Sequence, residues 1–75
     1  MKTYISILIS SDSAKASNIS EIFTQLGFER IFGGQDFVYT WKEDVTTTEV
    51  LEFMDNVQNK LKGMKVRYNI TTIKD

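Results

Sequence analysis

Cysteine, histidine and proline are all absent from this chain of 75 residues. Without cysteine the chain can form no disulfide, no thiolate zinc site and no cysteine nucleophile. Without histidine it lacks the usual general base near neutral pH and the commonest ligand of transition metals. Any chemistry must therefore use carboxylates, hydroxyls, arginine, lysine or tyrosine, and the sequence predicts neither a cofactor nor a metal site.

The composition is that of an ordered globular domain of marginal size. Hydrophobic residues make up 41% of the chain and aromatic residues 12%. One domain of this length is close to the limit at which a single core is stable alone, so we expect a homodimer. The formal net charge is -1, which does not favour nucleic acid as a partner of the whole surface.

The apolar run from Ile5 to Ile9 is too short for a signal peptide or a membrane span. We therefore expect a cytoplasmic protein that has no membrane partner. A second local feature is a group of cations that lie close together toward the carboxyl terminus: Lys60, Lys62, Lys65 and Arg67. Such a group is typical either of a helix end whose cations complement the helix dipole or of a phosphate-binding patch.

Periodicity predicts six elements in the order β-α-β-β-α-β. Alternating apolar residues indicate strands over 3–10 and 64–73, and helical spacing indicates two helices between them. The first helix is expected to begin between Asp12 and Asn18, either of which can cap it, and to end at Gly27. The second is expected to open with a capping box of Thr46 and Glu49.

Residues 28–41 predict a β-hairpin, because two short apolar and aromatic runs flank a Gly-Gly-Gln-Asp loop that needs positive φ. In its second arm Phe37, Tyr39 and Trp41 share one side, and Val38 and Thr40 share the other. If the aromatic side points away from the helices, it is an exposed patch that requires a partner. If it points inward, Val38 and Thr40 are exposed instead.

Right-handed crossovers place the fourth strand beside the first and the first beside the third. The prediction is one α+β domain over 1–75 with the ferredoxin-like βαββαβ fold, a four-stranded antiparallel sheet with both helices on one face. The other face of the sheet, called the open face, carries one side of the hairpin together with Tyr4, Ser6, Leu8, Arg67, Asn69 and Thr71. Function is expected on the open face.

Two aromatic residues fit an RNA-recognition motif in part. Such motifs stack bases on aromatic residues of their first and third strands. Tyr4 lies in a stretch that looks like the first-strand signature. The third-strand stretch retains Gly34, Phe37 and Val38 but lacks the leading cation and the first aromatic residue. The alternative is that Tyr4 and Phe37 pack in a core or in a dimer interface.

A second resemblance covers much of the chain. It is carried by Leu26-Gly27-Phe28-Glu29, by Val38-Tyr39, by Lys60-Leu61 and by Val66-Arg67. These segments resemble the virulence-associated protein D (VapD) family, which belongs with GhoS-type endoribonuclease antitoxins and the small CRISPR adaptation nuclease subunit. The resemblance implies a homodimer formed through the sheets and, in some members, RNA cleavage or nucleic-acid binding.

The nucleases of that group end their first strand in an aspartate, which with its twofold mate can hold a divalent cation. The equivalent position here falls on or near Ile9, which counts against a metal-dependent nuclease. The remaining catalytic candidates are Asp12, Arg30 and Arg67, whose arginines can contact RNA phosphate or a developing phosphorane. Each has a structural alternative, a helix cap for Asp12 and a surface cation or ion-pair partner for each arginine.

Two classes of function follow. The first is a small RNA-associated protein resembling the VapD and GhoS-type endoribonucleases of toxin–antitoxin or mobile-element systems. The second is a non-enzymatic homodimeric protein-interaction module, phage-derived or inhibitory, that uses the open face. The candidate binding residues are Tyr4, Phe37, Tyr39, Trp41 and Lys65.

Overall fold

The computed structural model describes residues 1–31, 33–42 and 45–74. Its elements follow the predicted order: β1 Lys2–Leu8, α1 Ala16–Gln25, β2 Glu29–Arg30, β3 Phe37–Thr40, α2 Thr47–Leu61 and β4 Arg67–Ile73. The four strands form one antiparallel sheet in the order β2-β3-β1-β4. The predicted ferredoxin-like α+β fold is confirmed.

The start of α1 at Ala16 lies inside the predicted range between Asp12 and Asn18. Its N-cap is Lys15, and no side chain caps the helix. The hydroxyl of Ser13 instead donates to the carbonyl oxygen of Lys65 at 2.6 Å, which ties the segment before α1 to the loop before β4. The predicted capping roles of Asp12 and Asn18 are wrong, because Asn18 lies inside the helix and the carboxylate of Asp12 accepts from the neighbouring hydroxyl of Ser11 at 3.4 Å.

The end of α1 lies where the sequence places it. Gly27 has a φ of 98°, a left-handed conformation that glycine adopts without a Cβ clash. The N–H of Phe28 donates to the carbonyl oxygen of Phe23, and the N–H of Gly27 to that of Thr24, both at 3.0 Å. These two bonds form a Schellman motif, and the edge-on contact of the Phe23 and Phe28 rings, 5.5 Å between centroids, is its usual hydrophobic partner.

The start of α2 confirms the predicted capping box. The hydroxyl oxygen of Thr46 accepts from the N–H of Glu49 at 3.1 Å, and the carboxylate of Glu49 accepts from the N–H of Thr46 at 3.2 Å. Each side chain thus satisfies a backbone donor that the first turn leaves free. The capped helix then turns Val57 and Leu61 into the core.

The hairpin is shorter on its first side than the sequence suggests. β2 has two residues, and the pairing continues through the N–H of Ile31, which donates to the carbonyl oxygen of Asp36 at 3.0 Å. Gly33 has the expected positive φ, 114°, and Phe32 lies outside the described residues. The carboxylate of Asp36 accepts the N–H of Ile7 at 2.7 Å, so this side chain joins the hairpin loop to β1.

The core lies between both helices and one face of the sheet. Its buried apolar members are Ile5, Ile19, Phe23, Phe28, Phe37, Val57 and Leu61. Phe37 of β3 stacks on Phe23 of α1 at 4.7 Å between ring centroids. Burial of such a side chain stabilises a fold by about 1.5–3 kcal/mol, and truncation of Phe23 to alanine is expected to cost about 3–5 kcal/mol.

Candidate interaction surface

The strand pairing determines which side chains lie on the open face. Ile5 is buried and pairs with Phe37 on one side and Ile70 on the other, so these three side chains face the helices. Because successive side chains of a strand alternate, their neighbours in the strands face away. Val38 and Thr40 of the hairpin lie on the open face, and the structure adds Lys2, Glu29 and Ile73 to the residues predicted there.

Exposed aliphatic side chains lie along the length of the open face. Leu8 is 67% exposed at one end and Ile73 is 51% exposed at the other. Between them Tyr4 and Val38, which are partly buried, oppose each other on β1 and β3. Large aliphatic groups on an uncovered face are typical of a surface that binds another macromolecule.

The charges on the open face lie toward its margins. The cations Lys2 and Arg67 are on β1 and β4, whereas Glu29 is on β2 at the other edge of the sheet. Two uncharged rows lie between them, Tyr4 beside Thr71 and Ser6 beside Asn69. The centre of the face is therefore neutral, with apolar and hydrogen-bonding groups side by side.

The aromatic arm of the hairpin points inward. Phe37 is 5% exposed and stacks on Phe23, so its predicted role in base stacking is wrong. Tyr39 and Trp41 pack against Phe53 of α2 at 4.6 and 5.1 Å between ring centroids. Of the two alternatives that the sequence left open, the structure adopts the one in which Val38 and Thr40 occupy the open face, and Tyr39 and Trp41 do not line it.

Trp41 has a structural role that sequence reasoning missed. Its indole N–H donates to the hydroxyl oxygen of Thr3 at 2.8 Å, and the hydroxyl of Thr3 lies 2.8 Å from that of Thr72. Thr3 is 1% exposed. The three side chains join β3, β1 and β4 at the helix-covered side of the sheet, and only the pairing register brings them together.

The three catalytic candidates do not form one site. Arg30 lies on β2 opposite Phe37, on the helix-covered side, whereas Arg67 lies on β4 opposite Leu8, on the open face. Their strands are the two edges of the sheet, about 14 Å apart at the usual strand spacing. Asp12 is exposed in the loop after β1. One phosphate therefore cannot contact both arginines. The strand order predicted from the sequence already places these two strands at opposite edges of the sheet.

The group of cations near the carboxyl terminus is distributed over a helix end and a loop. Lys60 is in the last turn of α2 and Lys62 is its C-cap. Lys65 has a φ of 55°, and its carbonyl oxygen accepts the hydroxyl of Ser13. Lys62 and Lys65 border a shallow depression of about 430 Å³. Lys60 and Lys62 lie where cations complement the helix dipole, which favours the helix-end interpretation.

Within 1–31, 33–42 and 45–74, no group of three or more acidic side chains is arranged to hold a metal ion. The helices in those ranges lack the length and apolarity needed to cross a membrane.

Comparison with known proteins assigns no function to the open face. Comparisons with protein-family models, with curated proteins and with solved structures found no match for the chain. The resemblance to the VapD family therefore stays a prediction from the residues that carry it, and any functional assignment depends on the open face.

Proposed function

We propose that this chain is a non-enzymatic homodimeric module that binds another protein through the open face. The observation that carries the proposal is the exposure of Leu8 and Ile73 on a face that neither helix covers. The catalytic candidates, in contrast, lie at opposite edges of the sheet and on opposite faces. A surface of this kind supports binding and gives no cluster of reactive groups.

The chemistry of the open face indicates the chemistry of its partner. Its neutral centre around Tyr4 and Thr71 suits a partner surface with aliphatic and hydroxyl side chains, because a charge placed there would be desolvated without an opposite charge. Arg67 at the margin suits a carboxylate on the partner, since a charge pair at a rim steers association. Full burial of Leu8 contributes about 1.5–3 kcal/mol, so several such contacts are needed to offset the cost of association.

RNA is the second candidate partner, because Tyr4 lies on the open face as the sequence predicts and Arg67 lies on the same face. Against RNA, the cross-strand neighbours of Tyr4 are Val38 and Thr71, so among the described residues of the face a base finds one ring on which to stack. The carboxylate of Glu29 on the same face repels phosphate. The protein-binding function is therefore favoured.

The test compares variants of the open face with a matched control on α2. Leu8→Lys and Tyr4→Ala change the open face, whereas Leu51→Lys introduces the same charge at an aliphatic residue of α2 that is 55% exposed. Each protein is immobilised and incubated with cell lysate treated with ribonuclease. A protein retained by the wild type is then purified, and its affinity for all four chains is measured by calorimetry.

We expect the Leu51→Lys variant to bind this purified partner as the wild type does and both open-face variants to bind it at least about tenfold more weakly, a difference of 1.4 kcal/mol. Equal affinity for all four chains would overturn the proposal. A mixed RNA pool, with and without magnesium, tests the other class of function. Binding that weakens with salt and is lost in Tyr4→Ala would transfer the function to RNA, and cleavage by the wild type would exclude a non-enzymatic role.

A further inference from the structure

The two edges of the sheet differ sharply. Its β2 edge has two residues, Glu29 and Arg30, both charged and exposed. Its β4 edge has seven residues, Arg67–Ile73, and the six that follow Arg67 carry no charge and no proline. Natural sheets protect free edges with short strands, charges, proline or bulges, because an unprotected edge pairs with another strand. The β2 edge is protected in this way and the β4 edge is not.

Hydrogen bonds of β1 determine which way the backbone of each strand points. The carbonyl oxygens of Met1 and Ile5 accept from the N–H groups of Trp41 and Asp36 at 3.0 and 2.9 Å. The N–H of Ile7 donates to the carboxylate of Asp36. Backbone groups of odd-numbered residues in β1 therefore point toward β3, and those of even-numbered residues point toward β4.

The same alternation identifies the free backbone groups of β4. Tyr4 opposes Thr71, so the odd-numbered residues of β4 bond to β1. The N–H and C=O groups of Tyr68, Ile70 and Thr72 point to the free edge, beyond which no strand of the described chain lies. They form an uninterrupted row of three donors and three acceptors.

We propose that β4 pairs antiparallel with β4 of a second copy, about a twofold axis through Ile70. Ile70 is the midpoint of Arg67–Ile73, so this register pairs all seven residues of both strands. Ile70 opposes itself, and Tyr68 opposes Thr72 of the second copy. The three outward-pointing residues of each strand then exchange about six hydrogen bonds, two for each closely spaced pair.

The side chains are compatible with this register. Arg67 opposes Ile73 of the second copy, and Asn69 opposes Thr71 of the second copy, so no like charges face each other. Arg67 can cover the exposed Ile73 with its aliphatic stem. The inference rests on the proposed function, which supplies the homodimer and the use of the open face. What it adds is that the dimer forms through the β4 edge. Because the twofold axis is perpendicular to the sheet, both open faces stay uncovered on the same side of an eight-stranded sheet.

Amide hydrogen exchange tests the pairing residue by residue. The N–H groups of Tyr68, Ile70 and Thr72 should be protected at high protein concentration and should exchange faster on dilution. The matched reference is the N–H of Arg30. Ile31 bonds to β3, so the N–H of Arg30 points to solvent at the β2 edge. We expect exchange at the three β4 amides to be at least about tenfold slower than at Arg30. Exchange as fast as that of Arg30 at every concentration would overturn the inference.

Chemical synthesis of the chain permits a change confined to the edge. N-methylation of Ile70 removes one outward donor and keeps the side chain, and N-methylation of Arg30 makes the same change at the β2 edge. By sedimentation the Ile70-methylated chain should have the mass of a monomer, and the Arg30-methylated chain that of a dimer. Circular dichroism establishes that both are folded. If both methylated chains form dimers of equal strength, β4 does not pair with itself.

Charge pairs test the register. Asn69→Glu combined with Thr71→Glu places two carboxylates opposite each other across the axis, and dimerisation should be lost. Asn69→Lys combined with Thr71→Glu places opposite charges there, and dimerisation should be retained. The same mass for both double variants contradicts a register centred on Ile70. A dimer that survives N-methylation of Ile70 but is lost in Leu8→Lys would mean that the open face pairs with itself. This result distinguishes failure of the β4 pairing from failure of the proposed function of the open face.

Discussion

Replacement of Thr3 by valine removes one hydroxyl from the centre of a partly buried network and keeps the shape of the side chain. A hydroxyl has one proton and two lone pairs, so Thr3 can accept from Trp41 and still share a proton with Thr72. No buried side-chain nitrogen or oxygen among the described residues lacks a partner. Thr3→Val would leave the indole N–H and the hydroxyl of Thr72 without the partner that both contact.

The expected cost follows from those two groups. A buried donor left unsatisfied costs about 1–3 kcal/mol, and the indole N–H of Trp41 is held in place by its ring contacts with Tyr39 and Phe53. The hydroxyl of Thr72 can rotate toward other acceptors, so its share is smaller. Because Trp41 and Thr72 are half-buried, we expect Thr3→Val to lower the free energy of unfolding by about 1–3 kcal/mol, a substantial fraction of the roughly 4–11 kcal/mol typical for a chain of this length.

Urea unfolding measures this cost. Trp41 is the single tryptophan of the chain, so its fluorescence reports the network directly, and circular dichroism reports the fold. Trp41→Phe removes the donor but keeps an aromatic ring, and it should cost less in the Thr3→Val background than in the wild type. The coupling should be about 0.5–3 kcal/mol. A cost for Thr3→Val below about 0.5 kcal/mol, or strictly additive effects, would refute the role assigned to the network.

Two further changes test how the chain turns. Gly27→Ala should lower the free energy of unfolding by about 1 kcal/mol or more, because φ is 98° and a Cβ would lie 3.0 Å from Cε1 of Tyr39. The control is Gly34→Ala, because Gly34 has an ordinary φ and a Cβ there would have no neighbour within 4 Å. This control should have little effect in the same urea titration. Asp36→Ala removes the acceptor of the Ile7 N–H and should cost about 1 kcal/mol. Asp36→Asn keeps an acceptor oxygen and should retain most of that stability, and equal losses for both Asp36 variants would show that the bond contributes nothing.

The helix ends that were predicted correctly from the sequence have local causes. The end of α1 at Gly27 and the start of α2 at Thr46 depend on residues within a few positions of each other, and the signals for a C′ glycine and a capping box lie entirely in those residues. The absence of a side-chain cap on α1 could not be predicted in the same way. Ser13 bonds to Lys65, which is 52 positions away in the chain, and no local pattern contains that partner.

The side of the hairpin that faces the helices was left open for a related reason. Alternation separates the two sides of β3, but only pairing with β1 decides which side is buried. Phe37 lies opposite Ile5, whose side chain is in the core, so the aromatic side is buried with it. The separation of Arg30 from Arg67 is different, because the predicted order of strands already puts β2 and β4 at opposite edges.

Pairing of β4 also changes how the open face binds a partner that is fixed to a surface. Two open faces on the same side of one sheet can bind two neighbouring partner molecules, and the second binding event is then intramolecular, with an effective concentration in the millimolar range and a gain of about 10²–10⁴ in apparent affinity. On a densely loaded biosensor surface, the wild type should therefore dissociate about 100-fold more slowly than the chain N-methylated at Ile70. In solution, with a monovalent partner, the two should have the same Kd, because the methyl group lies on the edge and not on the face. In a continuous eight-stranded sheet the two open faces must point the same way. If the wild type dissociated at the same rate from dense and sparse surfaces, the two faces would not do so, and pairing through β4 would be refuted.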